Sequence, residues 1–480
     1  MRPPRRVLTL LVAAIACGLA GGIVATPHAD AHATVDAISP ADDARLDSSP
    51  SRVSVTFSEP VQLLSGADLG VVDAQGESVT TGPGRTLPDA ADRVEVPLQR
   101  GLPSGTYTIR WRVVSADGHI VPGATVFAVG DVPIGAPYLG GPGGATGPAE
   151  TSAWAVSARW LELVGVGGLV ALLAFRLLVW RAVWRPPPRI APRERDAALA
   201  WGRDAWWIAF GALALVSLVG EACVLIVKSA SALGLSVWGA LGDPAGIVRV
   251  LADTRFGDLL QIRTFALFAL FALGVWRFLA EYRSDAAPTP QEADGGLGPA
   301  LLMLAPALLA LGSISAQGHA STSSLPVLQV PTDALHAAAA ATWVGGLALL
   351  AAWLIRLPRV AGAGGRLVGG LVLARFSGVA LVAVAVIVAT GIIRAFGQMS
   401  APSDLWRTSY GWSILVKIGL LTCAGLLALR NRRVVSTLRR ENRPNTGTLR
   451  MVHRAAAVEL VITLLIIAMS SLLVAQVPPV

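Results

Sequence analysis

Residues 107–119 read YTIRWRVVSADGH and contain the clearest strand pattern in the chain. From Tyr107 to Val113 apolar side chains alternate with polar ones, which is the period of a strand with one buried face. The alternation recurs in three runs separated by Gly, Pro and Asp, at 52–57, 94–98 and 127–129. Residues 32–130 therefore predict an all-β sandwich of antiparallel strands, and their number is sufficient for one core.

Different compositions flank the predicted sandwich on its two sides. Residues 131–152 are rich in Gly and Pro, which is typical of a flexible linker. Residues 1–31 resemble a secretory signal, with three early arginines, an apolar run and an A-x-A pattern at 29–31. Cleavage there would make His32 the first mature residue. The alternatives are an uncleaved anchor helix and a lipoprotein signal ahead of Cys17.

The rest of the chain is strongly apolar. Of 480 residues 53% are hydrophobic and 15% charged, and the mean hydropathy is +0.59. Soluble proteins have about 25% charged residues, so this composition excludes a disordered chain, a coiled coil and a purely soluble enzyme. Residues 153–476 contain eight apolar segments, each long enough to cross a bilayer as a helix. The segments lie at 153–180, 205–228, 258–279, 298–316, 333–355, 372–396, 412–430 and 455–476.

Arginine is distributed unevenly among the loops between these segments. Alternate connections carry 20 arginines in one set and 3 in the other. The positive-inside rule assigns the first set to the cytoplasm, which predicts an eight-span bundle in the plasma (inner) membrane with the sandwich outside. The Arg-rich loop at 430–454 could also be a nucleic-acid patch. A role in topology beside anionic lipid is favoured, so the expected partner is the lipid bilayer and no nucleic acid.

Histidines and one aspartate predict a metal site on the exported domain. Asp117 and His119 are two residues apart, so on extended backbone both face the same way. A mature N-terminal His32 would add its amine and its imidazole, which makes three nitrogens and one oxygen. Such a set suits Cu(II), although a plain turn would also explain Asp-Gly-His. Residues 32–130 contain no Cys, which excludes a thiolate site there.

Four stretches of this domain resemble the copper-binding CopC family: His32-Ala33, SPADDARL from residue 39, Phe57-Ser58-Glu59-Pro60-Val61 and YTIRWRVVSADGH. The resemblance implies a Greek-key sandwich with a Cu(II) site formed by His32, Asp117 and His119. It also implies that Glu59 lies beside those ligands without binding the metal directly. Some members of the family have a second, Met-rich Cu(I) site. Residues 32–130 contain no Met, so that second site is not expected.

A second pair of histidines is predicted near the outer membrane surface. His319 follows the fourth span and His336 opens the fifth, where Thr332 or Asp333 could cap the helix. Trp343 shares a helical face with His336. An interhelical hydrogen bond would also explain a histidine within a span. The stretches SISAQGHAS from residue 313 and LHAAAAATWVGGL from residue 335 resemble the eight-span CopD family, which implies that His319 and His336 are candidate copper ligands.

Several ionisable residues lie inside the predicted spans. Glu162 is about two turns inside the first span, and Arg159 lies one turn away on the same face. Buried charges are normally paired or line a path, so Glu162 either forms an ion pair with Arg159 or belongs to a transport path together with Trp343. The other charged residues within spans are Glu221, Lys228, Arg263, Lys417 and Glu459.

The resemblances predict a copper-homeostasis protein that binds Cu(II) at the outer face and carries copper across the membrane, with uptake favoured. Copper resistance by sequestration, a passive anchored buffer and a histidine-brace copper enzyme are the alternatives. No P-loop, nucleophile triad or haem motif is present, so an enzyme is not expected. Copper ion is the expected ligand, and copper chaperones are further candidate partners.

Overall fold

The computed structural model describes residues 33–64, 68–115, 118, 120–140, 152–185, 187–283, 297–321, 325–396, 399, 401–409, 411–423 and 426. Within these ranges an N-terminal β-sandwich is followed by a helical bundle, as predicted. His32, Asp117 and His119 lie outside the described residues, as do the signal segment and the eighth predicted span.

The sandwich has nine strands among the described residues. They are β1 Val35–Ser39, β2 Ala44–Leu46, β3 Arg52–Phe57, β4 Val61–Gln62, β5 Leu69–Val72, β6 Arg85–Leu87, β7 Ala90–Pro97, β8 Gly105–Ser115 and β9 Ile120–Val129. One sheet has the order β1-β3-β7-β6. The other has the order β2-β9-β8-β4, and β5 also pairs with β8. The chain passes between the sheets repeatedly, as the connections of a Greek-key sandwich do.

Alternating apolar residues fill the space between the two sheets. Val53, Val55 and Phe57 of β3 are fully buried and meet Ile109 and Phe127 from the opposite sheet. This confirms the period-two pattern as the source of the core. One pairing departs from the predicted antiparallel arrangement, because β2 runs parallel to β9.

Strand β8 is buried on both faces, although its sequence predicts one exposed face. Thr108 and Arg110 are covered by residues 131–140, the first part of the Gly/Pro-rich linker. The backbone N–H of Tyr138 donates to Thr108 Oγ1 at 2.9 Å, and Arg110 donates to the carbonyl of Gly140. The first ten residues of the linker are therefore attached to the sandwich.

The described helices are α1 Ala153–Val183, α2 Pro192–Leu233, α3 Val237–Leu241, α4 Pro244–Asp253, α5 Arg255–Tyr282, α6 Leu297–Ser315, α7 Pro326–Phe396, α8 Asp404–Arg407 and α9 Gly411–Cys423. Helix α1 contains a π-helical turn at Arg176–Trp180.

Five of these helices, α1, α2, α5, α6 and α7, are long and apolar enough to cross a membrane. Helix α7 is two helices joined at a kink, where Ala361 and Gly362 leave the helical conformation and Gly362 has φ +53°. It therefore covers the fifth and sixth predicted spans, and the apolar helix α9 lies in the seventh. The predicted count of eight spans is not confirmed, since the eighth lies outside the described residues.

Glycines allow helices α1 and α2 to approach closely. A Cβ added at Gly165 would lie 2.5 Å from the backbone nitrogen of Ser217, and one added at Gly220 would lie 2.6 Å from that of Glu162. Small residues at such crossings are a common device of membrane helix pairs. The contact at Gly220 brings Glu162 of α1 beside α2.

The sandwich is docked on one end of the bundle. Arg112 of β8 donates from Nη1 to the carbonyl oxygen of Ser231, near the end of α2, at 2.7 Å. Burial in this contact lowers the pKa of the Arg112 guanidinium from its ordinary value. Leu64 and Ile120 of the sandwich pack on an apolar cluster that includes Phe256 of α5. We call this end of the bundle the sandwich end and the other the far end.

Candidate functional site

The loop between β8 and β9 reaches the bundle at Gly118. Gly118 has φ +83°, a conformation that glycine adopts without strain. Its carbonyl oxygen accepts a hydrogen bond from Lys228 Nζ of α2 at 3.4 Å. A Cβ added to Gly118 would lie 3.7 Å from the Cβ of Phe256, at the start of α5. Gly118 therefore contacts the ends of two membrane helices, α2 and α5.

The residues predicted to bind Cu(II) are neighbours of this contact in sequence. Asp117 and His119 flank Gly118, and, like His32, they lie outside the described residues. Glu59 is described and is half-buried in the turn between β3 and β4. Because Val61 pairs with Ser115, Glu59 lies at the same end of the sheet as the loop that contains Gly118.

Beneath this loop, the bundle contains a buried group of three charged side chains from three helices. Arg263 of α5 is fully buried and is shared by two carboxylates, Glu162 of α1 and Glu221 of α2. Its Nη2 lies 2.7 Å from Glu162 Oε1, and its Nε donates to Glu221 Oε1. Its Nη1 donates to Gln317 Oε1 at 3.1 Å. We call Glu162, Glu221 and Arg263 the carboxylate cluster.

The partner of Glu162 was not identified from the sequence. The two readings of Glu162 were an ion pair with Arg159, one turn away, or a place on a transport path. In the structure Arg263, about a hundred residues later in the chain, contacts Glu162. The available signal was that Glu162, Glu221 and Arg263 are charged residues in separate spans, where an unpaired charge is costly.

His336 lies deeper in the bundle than predicted. Helix α7 begins at Pro326, so His336 is about 15 Å along it, at 1.5 Å per residue, and does not open the span. Thr332 and Asp333 consequently do not cap the helix. Thr332 Oγ1 donates to the carbonyl of Leu328, and Asp333 pairs with Arg394 at 2.7 Å. The prediction was wrong because it placed the helix start at Thr332 or Asp333, just after Pro331, whereas Pro331 lies in the second turn of α7.

A single hydrogen bond indicates the tautomer of His336. Its Nδ1 lies 2.9 Å from Thr390 Oγ1, in the second half of α7. Thr390 Oγ1 also lies 2.6 Å from the carbonyl of Val386, which can only accept, so the hydroxyl proton belongs to that bond. The Thr390 oxygen then accepts from His336 Nδ1–H. This leaves the lone pair on Nε2, the form in which imidazole binds metals.

The other two membrane candidates differ in their surroundings. His319 begins the short turn His319–Ser321, two residues after Gln317, and its side chain lies outside the described residues. Trp343 is buried in an apolar cluster between α1, α2 and α7. Among the described residues, no group of three His, Cys, Asp or Glu side chains comes close enough to hold a metal ion.

The carboxylate cluster and His336 lie at the same depth but in opposite electrostatic surroundings. Helices α1 and α7 are in parallel register, because Gly167 faces Ala341 and Ala171 faces Gly345. The same offset brings Glu162 level with His336.

The carboxylate cluster and His336 differ in the charged residues that surround them. The carboxylate cluster has two acidic side chains and one basic one, whereas two cations, Arg394 and Lys417, act on His336 and one anion, Asp333, accompanies them. A metal cation therefore gains more from the carboxylate cluster.

Two family models match the chain. The model described as "CopC domain" matches residues 35–130, and the model described as "Copper resistance protein D" matches residues 370–473. Together they cover most of the sandwich and the C-terminal part of the bundle.

Curated relatives extend the similarity over most of the chain. "Copper transport protein CutJ" of Bacillus subtilis is 28% identical over 394 residues, which is 81% of this chain. The chain spans 65% of that relative, just under two thirds. "Protein YobA" of Escherichia coli K12 is 35% identical over 22% of this chain and 83% of its own length. "Copper resistance protein C" of Xanthomonas campestris pv. juglandis is 33% identical over 22% of this chain and 86% of its own length.

A solved structure matches the N-terminal part as well. The crystal structure of CopC from Methylosinus trichosporium OB3b is 27% identical, covers 20% of this chain and 93% of that chain, and has a TM-score of 0.19.

Proposed function

The chain belongs to the CopC and CopD family of copper resistance and transport proteins, and from this premise we propose that it captures Cu(II) on its sandwich and carries copper into the cell. Copper is the substrate of this transport. The long apolar helices make the chain a membrane protein. The excess of arginine in alternate loops supports a plasma-membrane orientation with the sandwich outside.

The observation that carries the proposal is the contact at Gly118. The two residues beside it, Asp117 and His119, are the proposed Cu(II) ligands together with His32. Gly118 itself touches Lys228 and Phe256 at the sandwich end of the bundle. A copper ion released from this loop would therefore leave the sandwich above the carboxylate cluster and would not have to diffuse from bulk solvent.

The ligand set and its neighbour are consistent with Cu(II). Two imidazoles, an N-terminal amine and a carboxylate supply the nitrogen and oxygen donors that a tetragonal Cu(II) site takes. Glu59, at the same end of the sheet, adds negative charge beside the site without being a ligand. Negative charge nearby lowers the energy of a bound divalent cation.

In the membrane we propose that copper passes Glu162 of the carboxylate cluster first. This cluster has two acidic side chains for one basic one, so with both carboxylates ionised it favours a cation, and it lies below Gly118. His319, two residues after Gln317, is a candidate ligand at the mouth. His336 offers Nε2 as a deeper candidate ligand. Trp343 lies two helical turns below His336, in the apolar cluster that borders the proposed path. On the cytoplasmic side, copper chaperones are candidate acceptors.

The proposal is tested with the full chain reconstituted in lipid vesicles, with copper added on the sandwich side and measured in the lumen. We expect accumulation above that of protein-free vesicles. The variant E162Q should lose accumulation at every copper concentration, because it removes charge from the path. A variant of His119 should lose it only at limiting copper, since free copper can still reach the cluster. E194Q, whose side chain accepts from the backbone of Ala363 and Gly364, is the control.

Two outcomes would contradict the proposal. Copper that binds the chain but never enters the lumen would indicate sequestration or resistance without import. Oxidation of a polysaccharide by the copper-loaded chain and peroxide would instead indicate the histidine-brace enzyme.

A further inference from the structure

The carboxylate cluster contains one more negative charge than positive. Glu162 and Glu221 share Arg263, and the three side chains are 4%, 7% and 0% exposed. The third polar contact of Arg263, Gln317, is an uncharged amide whose Nε2 donates to the carbonyl of Phe256. An uncompensated charge at this burial is costly, because low-dielectric surroundings disfavour the charged form.

One buried oxygen of the cluster, Glu221 Oε2, has neither a hydrogen-bond donor nor an ion-pair contact in the described part of the chain. Arg263 Nε donates to Glu221 and Nη1 donates to Gln317, whereas Nη2 lies 2.7 Å from Glu162 Oε1 as an ion pair without hydrogen-bond geometry. Glu221 Oε2 is buried and has no hydrogen-bond partner among the described residues. A buried carboxylate oxygen without a donor is a natural place for a proton, which makes the group neutral.

The charged neighbours of Glu221 do not remove this imbalance by direct contact. The charges that act on Glu221 are Arg263 from α5 and Glu162 from α1. Arg159 lies one turn from Glu162 toward the sandwich. Lys228 lies two turns from Glu221 on the same helix and donates to Gly118. Both of these cations are therefore nearer the sandwich than the unoccupied oxygen.

Resting on the proposed function, we propose that Glu221 is a proton-exchange site: it holds one proton on Oε2 when no cargo is present and releases it when copper reaches Glu162. With the proton, the cluster has one anion, one cation and no net charge. When a copper ion arrives, the O–H bond of Glu221 breaks and the proton passes to solvent water at the sandwich end. The ionised carboxylate then compensates the positive charge of the ion. After copper has moved on, Glu221 Oε2 takes up a proton from the cytoplasmic side. Copper movement is thereby coupled to proton movement in the opposite direction.

Infrared difference spectroscopy on the full chain in lipid nanodiscs tests this directly. A protonated carboxyl has a C=O stretch that is separate from the bands of a carboxylate. We expect copper addition to remove such a band from the native chain. The variant E221Q should lack the band, and E194Q on the same helix should keep it. E221D, which retains a carboxyl on a shorter side chain, should also keep it and guards against a folding defect in E221Q.

Other results would overturn the exchange. These are the absence of the band in the native chain, its persistence after copper is added, or an unchanged band in E221Q. A vesicle assay with a pH indicator in the lumen separates the two proposals. Copper that enters without any rise in lumenal pH would overturn the exchange and leave transport standing. Vesicles that take up no copper would overturn transport, and the spectra would still decide whether copper displaces the proton.

Discussion

Two groups of acidic and basic side chains, one buried and one partly buried, lie at opposite ends of the bundle with opposite ratios of acidic to basic residues. The carboxylate cluster has two carboxylates and one guanidinium. At the far end Glu281 has two guanidinium partners, Arg176 Nη2 at 2.6 Å and Arg277 Nη2 at 2.8 Å. We call Glu281, Arg176 and Arg277 the arginine cluster.

The two clusters also differ in how completely their polar atoms are paired. In the arginine cluster, Glu281 Oε1 accepts from both arginines and Oε2 accepts from Trp207 Nε1 at 2.8 Å. Arg176 in addition lies over the ring of Trp206 at 4.3 Å. The carboxylate cluster instead leaves Glu221 Oε2 without a donor among the described residues. A group whose polar atoms all have hydrogen-bond partners holds helices together. A group with an unpartnered polar atom can still bind a ligand.

The largest predicted difference is between neutralising one acid in each cluster. E281Q should destabilise the protein by about 3 kcal/mol, because it leaves two partly buried arginines without an anion. E221Q should change stability by no more than about 1 kcal/mol, since Arg263 keeps Glu162 and the new amide still accepts a hydrogen bond. Thermal unfolding of both variants in the same detergent, followed by circular dichroism, measures the difference.

Equal losses of stability in E221Q and E281Q would contradict this comparison. They would mean that both acids are ionised structural partners of arginine, and the proton-exchange site would lose its basis. E162Q is a useful third variant, because Glu162 has the same guanidinium partner as Glu221.

A second prediction separates the carboxylate cluster from the sandwich above it. R112M removes the charged hydrogen bond to the carbonyl of Ser231 while keeping most of the apolar length of the side chain. A hydrogen bond from a charged donor contributes about 1.5–3 kcal/mol, so the docked population should fall at least about tenfold relative to the undocked one. Copper transfer to the bundle should fall with it, while Cu(II) binding by the sandwich is retained.

Spin labels measure the docking in R112M. Labels at Gln75 on the sandwich and Trp238 beside the bundle, with the two described cysteines replaced by serine, should give a broader and longer distance distribution in R112M. R93M is the matched control, because Arg93 is exposed and, within the described part of the chain, its side chain donates to Thr56 of the sandwich alone. An unchanged distribution in R112M would show that the apolar contacts around Phe256 are sufficient for docking.

The sequence predicts those features of the molecule that depend on residues close together in the chain. The alternation in β3 and β8 identified the core of the sandwich, and hydropathy identified the long helices. The contact between Glu162 and Arg263 could not be found in this way, because it depends on how α1 and α5 pack. The burial of Arg112 has the same cause, since α2 covers a face that the strand pattern alone predicts to be exposed.

The position of His336 was missed for a different reason. The predicted helix begins at Thr332 or Asp333 with Pro331 just before it, whereas α7 already begins at Pro326. Proline in the second turn removes only one backbone hydrogen bond, which a long membrane helix tolerates. The role of His336 as a copper ligand stays a prediction from its residue type, whereas its depth depends on where the helix starts.

A third prediction concerns the hydrogen-bonded pair His336 and Thr390, which lies at the same depth as the carboxylate cluster. T390V removes the oxygen that accepts from His336 Nδ1–H and should cost about 0.5–1.5 kcal/mol, less than the loss of a buried ion pair. T390S keeps the oxygen and should behave like the native chain. Nitrogen chemical shifts of labelled histidine should show a single Nδ1–H tautomer in the native chain and T390S, and a mixture in T390V. The same tautomer in all three would mean that Thr390 does not orient the ring.

The smallest predicted effect comes from a third group of charged side chains, on the sandwich. Like the arginine cluster, it has one glutamate and two arginines. Glu95 has two partners, Arg85 at 2.6 Å and Arg52 at 3.4 Å. The Glu95 side chain is 8% exposed, whereas both arginine side chains are 67% exposed and keep their charges in water. The hydrogen bond from Arg85 lowers the pKa of the Glu95 carboxyl from its ordinary value. Because water screens exposed pairs, E95Q should cost less than about 1 kcal/mol at neutral pH.

The pH dependence of E95Q distinguishes this pair from a purely steric effect. A carboxyl whose pKa is lower in the folded state stabilises the protein above its unfolded pKa, and that stabilisation is lost as the pH falls through the folded pKa. The stability difference between the native chain and E95Q should therefore be constant near neutrality and shrink below about pH 4, where an ordinary glutamate becomes protonated. E77Q, at an exposed residue of the same domain, is the control. A stability difference that persists in acid would mean that Glu95 acts through its shape. The ratio of acidic to basic residues would then affect stability only in the bundle, where water is excluded.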